Sequence, residues 1–228
     1  MIDIFDIQVF FSICTIVFVD YLSMFVTKWY NNRLRITPNT RWFFIHAFVN
    51  LVVTTTTFSD VIECFSDPYS CKSRISPSSQ IGYNMAVVSH LYHMLFFYKF
   101  LTYYEWLHHI VMCFICGPLA NSYSHDKICM SSLWFLSGFP GLIDYTMLYL
   151  VKIDKVSSRF QKQLYLYISS MIRSPGCIVM SYIQFLNLYK VTNVDEFIAR
   201  IFLSLLVFWN AQYFLYITIR DTTNKLHL

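Results

Sequence analysis

Long apolar runs alternate with short polar stretches along the chain, and this pattern predicts a bundle of membrane-spanning helices. The runs cover residues 7–27, 42–58, 83–101, 106–119, 129–151, 163–189 and 197–219. A helix of about 20 apolar residues crosses the hydrocarbon core of a bilayer. We therefore predict an all-α, multi-pass membrane protein with about seven transmembrane helices. Residues 1–40 form an N-terminal helix and a cytosolic loop, 41–220 the main membrane domain and 221–228 a short cytosolic tail.

Composition supports a membrane protein and excludes several function classes. Apolar residues make up 56% of the chain and charged residues 13%, about half the charged fraction of a typical soluble domain. The mean hydropathy of +0.47 agrees with this assignment. The net charge of +4 is not concentrated in a basic run, so nucleic acid is not an expected partner.

The loop charges predict an orientation. With seven spans, most lysines and arginines fall on the side that carries the loops after the first, third and fifth spans and the C-terminal tail. They are Lys28, Arg33, Arg35, Arg41, Lys99, Lys152, Lys155, Arg159, Lys162, Arg220 and Lys225. Because cytosolic loops carry the excess of basic residues, we expect a lumenal N-terminus and a cytosolic C-terminus.

Strongly polar residues inside the apolar runs predict a cavity. At about 1.5 Å of rise per residue, they all fall between the cytosolic face and the middle of the bilayer. They are Asp20, His46, Asn50, His90, His93, His108, His109, Asp144, Arg173, Asn210 and Gln212. Because polar groups in a bilayer are costly unless they line a cavity or pair with one another, we predict one polar cavity open to the cytosol.

Histidines are the main candidates for chemistry in this cavity. His90 and His93 are three residues apart and therefore share one face of a helix, and His108 and His109 begin the next apolar run. The alternative is a structural role in interhelical hydrogen bonds, or at the membrane interface for His108 and His109. Arg173 is the natural structural partner for Asp20 or Asp144.

Histidine number and spacing argue against most metal enzymes. A membrane di-iron enzyme would need about eight histidine ligands in H-x-x-x-H and H-x-x-H-H boxes, which the chain lacks. One zinc ion held by three histidines, as in seven-span lipid amidohydrolases, is possible by number, but the usual spacing is missing. We therefore predict no metal. Cys64 and Cys71 flank a polar loop and could pair if this loop is lumenal.

Two segments together resemble the TLC (TRAM–LAG1–CLN8) domain. Leu107-His108-His109 begins one helix, and about 35 residues later Asp144 lies in a helix that ends at Lys152. Arg41-Trp42 and the segment Arg173-Ser174-Pro175-Gly176 are also similar to that family. The resemblance covers roughly residues 41–220. Asp144 is the only acidic residue of its segment. The chain therefore resembles TLC proteins other than ceramide synthases more closely than it resembles the ceramide synthases.

The resemblance implies a helical membrane barrel with a lipid-accommodating cavity. Carried over from ceramide synthases, the catalytic residues would be His108, His109 and Asp144, with acyl-CoA as co-substrate. His46, Asn50, His90, His93 and the remaining polar membrane residues would line the cavity. A neutral imidazole can act as a base, and a carboxylate can orient it.

The function predicted from the sequence is lipid handling: binding, sensing or regulating membrane lipids in the cavity. The first alternative is an acyl-CoA-dependent N-acyltransferase of ceramide-synthase type, and the second is a zinc-dependent lipid amidohydrolase. Membrane lipids are the expected partners, and no cofactor is expected beyond acyl-CoA. The sequence also allows a homo-oligomer. The expected location is the endoplasmic reticulum or another endomembrane.

Overall fold

The computed structural model describes residues 4–30 and 36–226. These residues confirm the all-α class, with no β-strand among them. The helices are α1 (Ile4–Tyr30), α2 (Pro38–Ser66), α3 (Pro77–Phe96), α4 (Tyr103–Ile110), α5 (Gly117–Tyr123), α6 (Lys127–Leu133), α7 (Phe139–Lys152), α8 (Ser158–Ile168), α9 (Ser174–Leu186) and α10 (Val194–Leu226). Arg33 and Arg35, which contribute to the predicted charge asymmetry, lie outside the described residues.

Three π-helical segments join shorter helices into continuous stretches. They are Val111–Cys116 between α4 and α5, Trp134–Gly138 between α6 and α7, and Ser169–Arg173 between α8 and α9. A proline follows each segment, at the start of the next helix: Pro118, Pro140 and Pro175. Since proline cannot donate to the preceding turn, the wider π turn lets the chain pass it without breaking the helix. The break predicted at Pro175 is therefore a π turn within a continuous stretch.

Three helices are long and apolar enough to cross a membrane: Ile7–Tyr30, Pro38–Ser66 and Val194–Asn224. Large apolar side chains are exposed on the outer faces of α1, α3 and α10, among them Phe18, Phe25, Leu95 and Trp209. Apolar surfaces of this extent are rare in proteins that face water, so these faces suit a lipid environment. Together these features support a membrane location.

Side-chain caps define where several helices begin. Thr37 caps α2, Ser76 caps α3, and Asp126 caps α6, each accepting a hydrogen bond from a backbone N–H in the first turn. At α4, Thr102 and Glu105 form a reciprocal capping box. These caps lie just outside the predicted apolar runs, so hydropathy alone places the helix starts too late.

Helix α2 is the central element of the bundle. It packs against α1, α3, α6 and α7. One apolar cluster joins α1, α2 and α3 and includes Ile16, Ile45 and Met85. Helix α1, which belongs to the predicted N-terminal unit, therefore packs in the same apolar core as α2 and α3. At the other end of the chain, α10 continues to Leu226, so most of the predicted tail is helical.

A second apolar cluster joins α2, α6, α9 and α10. It includes Ile128, Phe135 and Met180, together with Cys64 and Cys71. These two cysteines are free thiols, buried and in contact with each other. A disulfide bond between Cys64 and Cys71 would therefore require little movement of either side chain, and this bond stays a prediction.

The turn after α7 lies outside the predicted membrane spans and leads to a testable prediction about stability. Asp154 has a φ of 58°, and the N–H groups of Asp154 and Lys155 donate to the carbonyls of Val151 and Leu150, at 3.2 and 2.9 Å. This is a Schellman motif, in which glycine is the preferred residue at the left-handed position. We expect Asp154→Gly to raise the free energy of unfolding by up to about 1 kcal/mol and Asp154→Ala to lower it by about as much. Thermal unfolding in detergent measures both, and equal melting temperatures for the two variants would contradict the motif.

Candidate functional site

Five histidines from three helices converge on one region, which we call the histidine cluster. His46 comes from α2, His90 and His93 from α3, and His108 and His109 from α4. Their ring centres lie 4.9 Å apart for His93 and His109, 5.1 Å for His90 and His109, and 6.3 Å for His46 and His90. The structure therefore brings together every histidine that the sequence assigns to the predicted cavity.

Local structure explains why the pair His90 and His93 meets the pair His108 and His109. His90 and His93 occupy one face of α3 because they are three residues apart. A short 3₁₀ turn, Tyr98–Phe100, then reverses the chain, and the capping box at Thr102 fixes the start of α4. His108 and His109 lie in the last turn of α4, immediately before the first π-helical segment. The short link between α3 and α4 thus returns the second pair to the first.

Aromatic rings hold two of the imidazoles in place. The Trp42 indole stacks on His93 with ring centres 3.3 Å apart and an angle of 20° between the planes. The Tyr145 ring stacks on His46 at 4.2 Å and 10°. His46, His93 and Trp42 are all buried. These contacts fix ring planes within the cluster and limit rotation about the side-chain torsions.

Hydrogen bonds define the ring nitrogens that stay free. His90 Nδ1 lies 2.7 Å from the Ala86 carbonyl oxygen. Because a carbonyl only accepts, Nδ1 carries the proton and Nε2 keeps its lone pair. His93 Nδ1 and His109 Nε2 are 2.8 Å apart and share one proton in a hydrogen bond. The buried Nδ1 atoms of His46 and His109 have no hydrogen-bond partner among the described residues.

Exposure differs across the cluster. His109 is buried, His90 is half-buried and His108 is exposed. His46 and His93 are also buried. The cluster therefore has a closed side formed by α2 and α3 and an accessible side at His108, where a ligand can approach.

Asp144, the predicted acidic catalytic residue, has a different partner. Its Oδ1 accepts a hydrogen bond of 2.7 Å from Gln161 Nε2 on α8. None of the hydrogen bonds in the described residues joins it to a histidine. Its neighbour Tyr145 contacts the cluster by stacking on His46. Of the three predicted catalytic residues, only His108 and His109 therefore belong to the histidine cluster.

Asp20 is paired inside the bundle, but with Arg41 rather than Arg173. The Arg41 guanidinium donates to both carboxylate oxygens, at 2.8 and 2.5 Å, and the Tyr92 hydroxyl donates to Oδ2 at 2.7 Å. The pair therefore links α1 to the start of α2 and to α3. The polar group that the sequence assigns to a cavity wall forms an interhelical ion pair.

The remaining cavity candidates form contacts of their own. Arg173 donates to the Leu136 carbonyl at 3.0 Å and to Asn210 Oδ1 at 2.7 Å, and Gln212 donates to Ser174 Oγ at 3.1 Å. Arg173 therefore pairs with neither of the two aspartates proposed for it. Asn50 is buried, and its Nδ2 has no partner among the described residues.

Sequence reasoning missed a second buried polar network. Arg200 on α10 donates to Asp126 Oδ2 at 2.7 Å and to Glu196 Oε1 at 2.8 Å, and Lys72 pairs with Glu196 at 2.8 Å. Arg200 and Asp126 are both buried. The hydropathy pattern places these residues in or beside lumenal loops. The spacing of four residues between Glu196 and Arg200 is the signal that could have indicated the pair.

A groove lies apart from the histidine cluster, between α1, α2 and α3. Its volume is about 290 Å³, and it is lined by Gln8, Phe11, Ser12, Thr15, Val52, Ile81 and Met85. The lining is mainly apolar, with polar side chains only from α1. A groove of this chemistry suits an acyl chain better than a polar ligand.

No protein-family model, curated protein or solved structure matches the chain.

Proposed function

We propose that this chain is a multi-pass membrane protein of the TLC type that handles a membrane lipid at the histidine cluster. The observation that carries the proposal is the convergence of five histidines from α2, α3 and α4, with one accessible side at His108. Polar groups buried in a bilayer are costly, and polar groups gathered at one point mark a site for a polar ligand. In a membrane protein, the head group of a lipid is the ligand that reaches such a site.

The proposal includes seven spans, a lumenal N-terminus and a cytosolic C-terminus. In the described residues, the helices and the π segments that join them give seven continuous stretches, and three of these meet the length and hydropathy of a span. The excess of basic residues in the predicted cytosolic loops sets the orientation. The endoplasmic reticulum or another endomembrane is the proposed location, and the TLC resemblance rests on the motifs at His108, Asp144 and Arg173.

Acyl transfer to a lipid amine is the second candidate function. It is favoured by the hydrogen bond between His93 and His109, which orients one imidazole beside the accessible His108. In this reaction the amine nitrogen attacks the thioester carbonyl of acyl-CoA, the C–N bond of the amide forms and the C–S bond breaks. An imidazole takes the proton from the amine and returns it to the leaving thiolate. Asp144 would act outside direct contact with the histidines.

Lipidomics with matched variants tests the proposal. Cells would express the wild type, His108→Ala/His109→Ala or His125→Ala at equal protein levels. His125 is the matched control because it lies outside the cluster and hydrogen-bonds Gln80 at 2.6 Å. We expect the wild type and His125→Ala to shift the same lipids and the double variant to lose this shift.

The class of lipid separates the candidate functions. A change in the acyl chains of an N-acyl lipid supports acyl transfer, whereas a change in lipid distribution without a new product supports lipid handling. Equal lipid shifts for the wild type and the double variant would show that the histidines are structural and would reject the site. An unchanged lipidome with the wild type would reject the function.

A further inference from the structure

We propose that His90, His108 and His109 bind one divalent transition-metal ion of the zinc class. In each of these residues one ring nitrogen lies within 4.8 Å of the corresponding nitrogens of the other two. Imidazole nitrogen is a preferred ligand of zinc and similar ions. The sequence predicts no metal because the spacing of 18 and 19 residues from His90 to the pair matches no familiar motif. The short link between α3 and α4 nevertheless brings the three together.

The spacing of the rings fits one tetrahedral ion. A histidine nitrogen lies about 2.0–2.1 Å from zinc and its ring centre about 1.1 Å beyond, so three rings on one ion have centres about 5.2 Å apart. The observed distances are 5.4 Å for His90 and His108, 5.1 Å for His90 and His109, and 5.4 Å for His108 and His109. The spacing of the ring centres therefore matches that of three imidazoles on one ion.

The hydrogen bonds around the triad leave suitable nitrogens free. His90 donates its Nδ1 proton to the Ala86 carbonyl, so its Nε2 lone pair is available. His109 uses Nε2 in its hydrogen bond to His93, and its buried Nδ1 has no partner. A buried ring nitrogen without a partner costs free energy unless it binds something. A ligand histidine typically bonds a carbonyl or another acceptor through its second nitrogen, as both rings do here.

His93 acts as a positioning residue for His109. The stack with Trp42 fixes the His93 ring plane, and His93 Nδ1 accepts the proton of His109 Nε2 when His109 binds the ion through Nδ1. This arrangement sets the tautomer and the orientation of the ligand ring. His46, whose ring centre is 6.3 Å from both His90 and His93, lies behind the triad.

Three protein ligands leave one coordination position open. His108 is exposed, so this position lies on the accessible side of the cluster. Neutral imidazoles do not reduce the charge of the ion, which favours an anionic or strongly polar oxygen at the fourth position, such as water, a carboxylate or a lipid carbonyl. The inference goes beyond the proposed function, since an ion can bind whether or not a lipid does.

Metal binding to the purified chain tests the inference. The full-length protein would be produced in detergent with an affinity tag that lacks histidine, stripped with a chelator and titrated with Zn²⁺, with Co²⁺ as a spectroscopic probe. We expect about one Zn²⁺ per chain by elemental analysis and the intense visible absorption of tetrahedral Co²⁺. The variants are His90→Ala, His108→Ala and His109→Ala, with His125→Ala as the control.

Each ligand variant is expected to lose at least 100-fold in Zn²⁺ affinity, while His125→Ala keeps the wild-type value. His93→Gln should keep one site but weaken it by about 10–100-fold, as second-shell changes do. Because His108 is exposed, its replacement leaves no internal cavity, and gel filtration with helical circular dichroism confirms that the variant is folded. A folded wild type that binds no Zn²⁺ at micromolar concentration, or a metal content that His108→Ala leaves unchanged, would overturn the inference. Neither result depends on any change in cellular lipids.

Discussion

Replacing Arg41 with Ala is expected to lower the free energy of unfolding by about 3 kcal/mol, the lower end of the range for removing one partner of a buried ion pair, because the Arg41 side chain is itself 32% exposed. The Asp20 side chain is only 4% exposed, and within the described part of the chain Arg41 supplies two of the three hydrogen bonds that it accepts. Without Arg41, the carboxylate stays buried with the Tyr92 hydroxyl alone. This leaves a buried carboxylate with no opposite charge beside it, which destabilises the contact between α1 and α2. The melting temperature of the purified protein in detergent measures the loss.

Two further variants test whether the buried charge is the cause. Asp20→Asn/Arg41→Ala removes the charge with the arginine and keeps an acceptor for Tyr92, so it should recover part of the loss. Arg220→Ala is the matched control, because Arg220 is 53% exposed and lies 3.8 Å from Asp221, and exposed pairs contribute at most about 1 kcal/mol. If Arg41→Ala melts at the same temperature as Arg220→Ala, the ion pair does not hold α1 in the bundle.

The histidine cluster could be located from the sequence because its members are close along the chain. His90 and His93 share a face through helical periodicity, and only a short link separates them from His108 and His109. The two pairs must therefore meet if the helices are antiparallel neighbours. The contribution of His46 could be predicted only by its depth, since α2 is distant in sequence.

The charged pairs could not be located in the same way. Arg41 reads as a loop residue because hydropathy starts the second helix at Trp42, but the Thr37 cap begins α2 earlier and turns Arg41 toward Asp20. Arg173 has the charge to pair with Asp144, yet the packing of α9 against α10 places Asn210 within reach instead. Which of several polar residues at one depth become partners depends on how each helix is rotated about its own axis. The apolar pattern of a single sequence does not reveal that rotation.

The role of the prolines was predicted only in part. Pro175 predicts a helix break, and the structure instead has a π turn that passes the proline while the stretch continues. The same arrangement precedes Pro118 and Pro140. A π turn rotates the following residues relative to an ideal helix, so these three turns change which face of each stretch meets the core. A regular helical period carried across each proline therefore assigns the wrong face to the residues that follow it.

Gly176→Ala is expected to lower the free energy of unfolding by about 3 kcal/mol, at the upper end of the usual cost of overpacking. A Cβ at position 176 would lie 2.0 Å from Phe135 Cδ1 and 2.3 Å from Cε1. The Phe135 ring has little freedom to move, because it is buried in the cluster of α2, α6, α9 and α10 and contacts Trp134 with ring centres 4.8 Å apart. Relief therefore requires a shift of α9, and thermal unfolding in detergent detects the cost.

The control separates the clash from the general effect of alanine. Gly117→Ala places a Cβ no closer than 3.1 Å to the Met112 carbonyl oxygen, and we expect it to change stability by less than about 1 kcal/mol. Gly176→Ala/Phe135→Leu should be more stable than the sum of the two single changes predicts, because a shorter side chain removes the atoms that clash. Additive effects would mean that Gly176 is not where α9 meets Phe135. A coupling of 1 kcal/mol or more would establish that the close approach of the two π-joined stretches depends on this glycine.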